Sequence, residues 1–245
     1  HWMVHSFPTR RSSDLPEKEN IMSEFVAAVE AIRDASIEFG TPVVSGNVSF
    51  YNETLGVGIT STPATGIVGI RPNVNDIPDD FFQRQGNAVY RISLSQVFSK
   101  GLFARTANEK NIFLGQFDLK ELKKFQDSLL QLSFIQGIKS TQMVGRGGLL
   151  LTLAKMCRNE LGFRSARKVS YEDLVLETFY QTVWEVEDAK ALDFENEANR
   201  LGLKTEKLGQ VVDHVFEIGD LVALKTMDLQ KKYEVNLLKK LEEGF

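Results

Sequence analysis

A helix that has to stop at Phe39 and a strand that has to start at Val43 constrain this chain more than any other feature. Ile21, Phe25, Ala28, Val29, Ile32, Ala35 and Phe39 recur at helical spacing, with Glu24, Glu30, Arg33 and Asp34 around the rest of the cylinder. Gly40 offers the left-handed conformation that closes a helix, and Pro42 bars its resumption. Val43-Val44 is then a short apolar run of the kind that ends a buried strand. It breaks into the small polar run Ser45-Gly46-Asn47-Val48-Ser49, followed by Phe50, Tyr51, Asn52 and Glu53. Gly56 to Ile59 and Thr65 to Gly69 alternate small and apolar residues, which suits strands that other backbones approach closely. A polar loop after a strand either closes a turn by side-chain to backbone hydrogen bonds or serves a ligand. In the second case its N–H groups face a phosphate and its carboxamide oxygen faces hydrated Mg²⁺. The residues alone leave both readings open.

Three runs in this order carry a resemblance: PEKENIMSEF at 16–25, VVSGNVSFYNE at 43–53 and TGIVG at 65–69. Together they resemble the large synthetase subunit of phosphoribosylformylglycinamidine synthase, closely from Pro16 to about Phe82 and more loosely to the C-terminus. The resemblance implies an α+β fold of the aminoimidazole ribonucleotide (AIR) synthetase-like kind. Residues 16–78 would form a partial A domain, an antiparallel sheet with helices, and residues 79–245 an α/β-sandwich B domain; these would be the second A and second B domains of the family. The implied activity is an ATP-dependent ligase that converts formylglycinamide ribonucleotide to the amidine with ammonia from a glutaminase subunit or domain. Residue by residue, Gly46 falls where the family contacts ATP, Asn47 where it ligates Mg²⁺, and Ser49 where it meets the substrate. No catalytic residue carries over. The catalytic histidines and most acidic ligands of the family belong to its first half, so the isolated chain is expected to be inactive and to expose an apolar face.

Residues 1–15 stand apart. They lack the apolar core of a secretory signal, and HSFPTRRSSDL, from His5 to Leu15, reads as one frame of a common sequencing adapter. The expectation is an artefactual leader in place of natural upstream sequence. A family aspartate that precedes the loop would fall here, and Asp14 is not its counterpart.

Composition narrows the remaining classes. A net charge of −4 gives no electrostatic case for nucleic acid or an anionic membrane surface. No apolar run approaches the roughly 20 residues that span a bilayer. One cysteine, Cys157 in LLLTLAKMC, excludes an internal disulfide and is read as a buried thiol of a cytoplasmic protein. His1, His5 and His214 are too scattered for a metal cluster.

Downstream, Arg71 to Asp80 is rich in turn formers and marks the first domain boundary. Asn87 to Ile92 restarts as a strand, and Leu119 to Leu132 reads as an amphipathic helix with Leu122, Phe125, Leu129 and Leu132 on one side. Lys100, Arg105 and Lys110 read as scattered surface charge. STQMVGRGG at 140–148 reads as a glycine turn onto a buried helix that Gly162 ends, with a plausible anion site at its start. Where the family carries a histidine and two aspartates on this turn, the chain has Gln142, Met143 and Arg146. Val183 to Val186 reads as a plain strand, Glu195 to Leu201 as a helix closed by Gly202, and Leu203 to Gln210 and Val215 to Ile218 as strands. His214 reads as a surface residue and Asp228 as the N-cap of a last helix. Two alternatives stand beside the ligase: another ATP-using enzyme of the AIR synthetase superfamily, and a non-catalytic scaffolding module with a decayed nucleotide site.

Overall fold

The computed structural model describes residues 3–5, 19–51, 53–55, 57–58, 62–71, 73–94, 118–177, 180–232 and 239. Lys100, Arg105 and Lys110 lie outside these residues. Two units form, His1–Asn75 with Leu119–Lys123, and Asp76–Asp118 with Lys124–Phe245. The first division thus falls inside the turn-rich stretch from Arg71 to Asp80.

In the first unit, helix α1 (Glu19–Phe39) ends as its sequence requires. Gly40 takes φ +62°, its N–H donates to the Ile37 carbonyl at 3.2 Å, and Thr41 N–H donates to the Ser36 carbonyl at 2.9 Å. That pair of bonds is a Schellman closure, and it hands the chain directly to the next strand. A three-stranded sheet follows in the order β2-β1-β5, from β1 (Met3–His5), β2 (Val43–Ser45) and β5 (Gly66–Val68). β1 runs parallel to β2 and antiparallel to β5, with Val4 opposite both Val43 and Ile67. It comes from the leader that the sequence sets aside from the fold. Between these strands β3 (Glu53–Thr54) and β4 (Val57–Gly58) pair as a two-residue hairpin.

The expectation of a buried strand end at Val43-Val44 is corrected: these side chains are 50% and 47% exposed, and Ile67 is 63% exposed. α1 buries no residue fully, and Val29 of its apolar stripe faces outward. Strands of three residues with one helix offer too little second layer to cover these side chains.

The second unit is built on a seven-stranded sheet in the order β12-β11-β8-β10-β6-β9-β7. Its strands are β6 (Ala88–Ser93), β7 (Ile138–Met143), β8 (Leu161–Ser165), β9 (Gln181–Val186), β10 (Lys204–Asp213), β11 (Val215–Ile218) and β12 (Val222–Lys225). Every pairing is antiparallel except β11 with β8. Alternate residues of β6 serve opposite faces. Val89 joins the cluster of Leu149, Leu153 and Met156 from helix α3 (Gly148–Met156), with Phe82, Phe163 and Phe216. Tyr90 meets Phe194 of α5 (Ala191–Arg200) at 5.2 Å, and Trp184 meets the same ring at 6.0 Å. Both faces are therefore covered, which explains why β6 and β9 are buried along almost their whole length. α2 keeps its expected bounds, Leu119–Leu132, and buries Phe125, Ser128 and Leu132, while the short α4 (Tyr171–Val175) buries Leu174.

Several sequence expectations fail here: Ser140 to Met143 belong to β7 and not to the glycine turn, and the helix expected from Glu195 starts at Ala191. α3 stops at Met156 instead of running to Gly162, because Asn159 and Glu160 both take left-handed backbone (φ +51° and +68°) and reverse the chain. Gly162 is a strand residue within β8. The last helix, α6, starts at residue 226 and is described to 232, so Asp228 sits inside its first turn and is not the cap. Tyr233, Leu237, Leu238 and Leu241 lie outside the described residues.

Candidate functional site

The loop singled out by the sequence leaves the C-terminal end of β2. Gly46, Asn47 and Val48 are exposed, whereas Ser49 and Phe50 turn inward and are half-buried. The Phe50 ring lies 5.4 Å from that of Phe25 on α1, with the planes tilted by 59°. Tyr51 then takes φ +59° and reverses the chain toward β3. Gly46, Asn47 and Ser49 thus lie on one short segment around Val48, which makes a β-bridge. Asn47 offers a carboxamide oxygen, a hard donor of the kind Mg²⁺ accepts among water and phosphate ligands. Among the described residues no group of three or more His, Cys, Asp or Glu could hold a metal ion. A divalent ion here would rest on Asn47, its own waters and the phosphates of its nucleotide.

The glycine turn before α3 has a different character. Gly147 and Gly148 take φ +86° and +67°, and a Cβ on Gly148 would lie 2.6 Å from the Leu174 carbonyl oxygen. Gly147 N–H donates to Glu177 Oε1 at 2.8 Å. The anion at this helix start is therefore the chain's own carboxylate, and the external anion site expected from the sequence is corrected to an internal tie. Gln142 Nε2 donates to the Asp80 carbonyl at 3.1 Å, while Met143 is 63% exposed. None of the three residues at the family's histidine and aspartate positions brings a carboxylate to this turn.

Sequence reasoning missed one buried charged group, Glu185, and one partly buried, Arg91. Glu185, fully buried on β9, accepts from Gln83 N at 2.9 Å, Arg84 N at 3.0 Å, Asn87 Nδ2 at 2.7 Å and Ser140 Oγ at 2.7 Å. Arg91 on β6 reaches Asp173 Oδ1 with Nη1 at 2.8 Å and Glu206 Oε2 with Nε at 2.8 Å, and Arg167 also pairs with Glu206. Both groups have partners for their polar atoms, so they tie elements together and present nothing to a ligand.

His214 occupies a tight turn at φ +62°, is 64% exposed and stands 3.9 Å from Glu160, as expected of a surface residue. Cys157 is buried, and burial pushes its thiol up to about 12. A maleimide should therefore label it only as fast as the unit opens, and labelling at the rate of a free thiol would contradict this burial. The folded state holds that proton where an unfolded thiol with the ordinary value of 9.0 releases it, so stability falls as pH rises from about 9 toward about 12. Nearby, a cavity of about 510 Å³ opens between α3 and α6, floored by Leu151, Ala154 and Leu229 and rimmed by Lys155, Arg158 and Lys232. No helix of the described residues is long and apolar enough to cross a membrane.

No family model matches the chain. Phosphoribosylformylglycinamidine synthase subunit PurL of Sulfurovum is 32% identical over 214 residues, which are 84% of this chain and 28% of that subunit. The chain is PurL-like. It spans less than a third of the curated relatives it matches. Its fold agrees with this: Thermotoga maritima PurL complexed with FGAR superposes with a TM-score of 0.63 at 16% identity, covering 93% of this chain and 38% of that one. Escherichia coli HypE, a hydrogenase maturation protein, superposes with a TM-score of 0.61 at 16% identity over 91% of this chain and 71% of its own. The AIR synthetase-like fold is common to PurL and HypE, and the likeness to PurL in particular rests on the sequence match.

Proposed function

We propose that this chain is the C-terminal part of a PurL-type synthetase and supplies the Gly46-Asn47-Ser49 loop to its ATP site. In this reading residues 16–78 belong to the second A domain and residues 79–245 to the second B domain. The observation that carries the reading is the loop itself: a PurL-like chain presents Gly46 and Asn47 exposed at a strand end, with Ser49 beside them. In support, the Thermotoga PurL has also been solved with ATP.

Within such an enzyme, ATP phosphorylates the formyl-amide oxygen of formylglycinamide ribonucleotide, and glutamine-derived ammonia displaces the phosphate. The Gly46 N–H holds a nucleotide phosphate, the Asn47 carboxamide oxygen orients the hydrated Mg²⁺, and the Ser49 hydroxyl faces the substrate. Bound there, Mg²⁺ would offset charge on the transferring phosphoryl group. The groups that move protons come from the N-terminal half of the synthetase, and a glutaminase provides the ammonia, in the cytoplasm. Alone, the chain turns over no substrate.

Asn47→Ala in a synthetase containing this chain should lower kcat/KM for Mg·ATP by about tenfold or more without shifting the melting temperature. An unchanged kcat/KM would sink the assignment. One observation favours a second reading, a scaffold with a decayed site: Met143 and Arg146 replace carboxylates, and Glu177 fills the α3 start. A decayed module binds no Mg·ATP.

A further inference from the structure

We propose that the cavity between α3 and α6 is a binding site for a small aliphatic anion, an acyl chain that ends in one carboxylate. The site stands within the second unit and needs nothing from the nucleotide reading of the Gly46 loop. Its volume of about 510 Å³ lies within the range of pockets that take small organic ligands. α3 divides its side chains between two surroundings. Leu149, Leu153 and Met156 enter the core of the unit. Leu151, Ala154 and Lys155, at positions i, i+3 and i+4, line the cavity, and Arg158 follows just past the helix end. Leu229 and Lys232 line it from α6.

The two walls are tied together without a ligand. Thr226, the buried first residue of α6, donates its N–H to the His214 carbonyl at 3.0 Å. Its hydroxyl donates to the Glu160 carbonyl at 3.4 Å, and the His214 N–H donates to that same carbonyl at 2.6 Å. Phe82 N–H donates to the Met156 carbonyl at 2.8 Å, which fixes the last turn of α3. A cavity between elements held in this way loses little freedom when it is filled.

The lining sets the class of ligand. Among the described residues that line it, none is aromatic and none is acidic. A flat base finds no ring to stack on there, whereas a saturated chain buries its surface against Leu151, Ala154 and Leu229. Arg158 is already engaged, 3.7 Å from Asp80 and with its guanidinium 5.2 Å from the centre of the Phe81 ring. The side chains of Lys155 and Lys232 make no ion pair or hydrogen bond among the described residues. Two unneutralised ammonium groups at the rim of an apolar floor suit a ligand with one anionic head and an aliphatic body.

Calorimetric titration of decanoate and of decanol into the whole 245-residue chain tests this, with decanoate kept below the concentration at which it self-associates. Decanoate should bind saturably, one per chain, and about tenfold more tightly than decanol. Lys155→Gln and Lys232→Gln should each lower decanoate affinity by about two- to fivefold, the range of a solvent-accessible charge pair, and leave decanol unchanged. The double variant should bind decanoate no better than decanol. Leu151→Gln should weaken both ligands alike, by about fivefold or more. Lys204→Gln, at a lysine outside the cavity, should change neither. Lys155, Lys232 and Leu151 are all exposed, so the unit stays folded in each variant.

Equal affinities of the unsubstituted chain for decanoate and decanol overturn the proposal. An anion preference that survives the double substitution does so too, as does binding that Leu151→Gln leaves intact. So does a decanoate titration that shows no binding. Each of these results leaves the Mg·ATP reading where it stood, so the two fail separately.

Discussion

Glu185→Leu should lower the melting temperature of the second unit by roughly 10 °C or more. The carboxylate accepts four hydrogen bonds from Gln83, Arg84, Asn87 and Ser140 in a site with no exposed surface. A leucine fills the space but leaves two backbone N–H groups, an amide and a hydroxyl unpaired, and each unpaired buried donor costs about 1–3 kcal/mol. Gln83 is half-buried and Arg84 exposed, so the two buried donors, Asn87 and Ser140, decide the cost. At the middle of that range they sum to about 4 kcal/mol, a large share of the 5–15 kcal/mol that holds a domain together. The carboxylate also joins three stretches far apart in sequence, the turn at 83–87, β7 and β9, so its loss acts on the whole sheet. Glu185→Gln should be milder, because the amide oxygen still accepts from one pair of donors. Calorimetry of the three proteins checks this ranking. A leucine variant that melts with the unsubstituted chain would mean that these bonds do not form.

Gly162→Ala should detach the end of the sheet. A Cβ there would lie 1.9 Å from the Val215 carbonyl oxygen and 2.7 Å from Thr226 Cγ2. The first contact is backbone, so no rotamer change relieves it. β8 is the strand on which β11 is paired, Phe216 opposite Phe163, and β12 hangs from β11 alone. Separating β8 from β11 should cost about 3 kcal/mol or more, at the upper end of overpacking. Hydrogen exchange gives the clearest readout: amides of β11 and β12 lose protection while those of β6 and β9 keep it. Gly145→Ala is the control, since a Cβ there meets nothing within 4 Å and its backbone is not left-handed. Equal effects at the two glycines would contradict the close approach.

These two residues also mark where the sequence stops being readable. Helical period and end signals are local, so the Gly40 closure of α1 and the bounds of α2 from Leu119 to Leu132 are legible to the residue. The polar loop is legible for the same reason, as a small run between a strand and an aromatic pair. Gly162 is not, because a glycine that ends a helix and one that admits a neighbouring backbone look alike until Val215 is placed beside it. Glu185 is hidden further still: its partners Gln83 and Arg84 are about a hundred positions away, and nothing in QTVWEV marks a carboxylate that must be buried. The exposure of Val43 and Val44 escapes for a related reason. A sequence shows that a strand is apolar, but not whether the chain carries enough second layer to cover it. At the candidate site, the identity of Gly46, Asn47 and Ser49 came from resemblance, whereas the clasp of Phe50 on Phe25 needed coordinates.

Equilibrium binding of Mg·ATP to this chain, measured by calorimetry with and without Mg²⁺, tests the central claim most directly. The account predicts saturable binding that Mg²⁺ strengthens, weakened by about tenfold in Asn47→Ala. Binding that ignores both Mg²⁺ and Asn47, or no binding at millimolar nucleotide, would contradict it and leave the decayed scaffold as the reading of this chain.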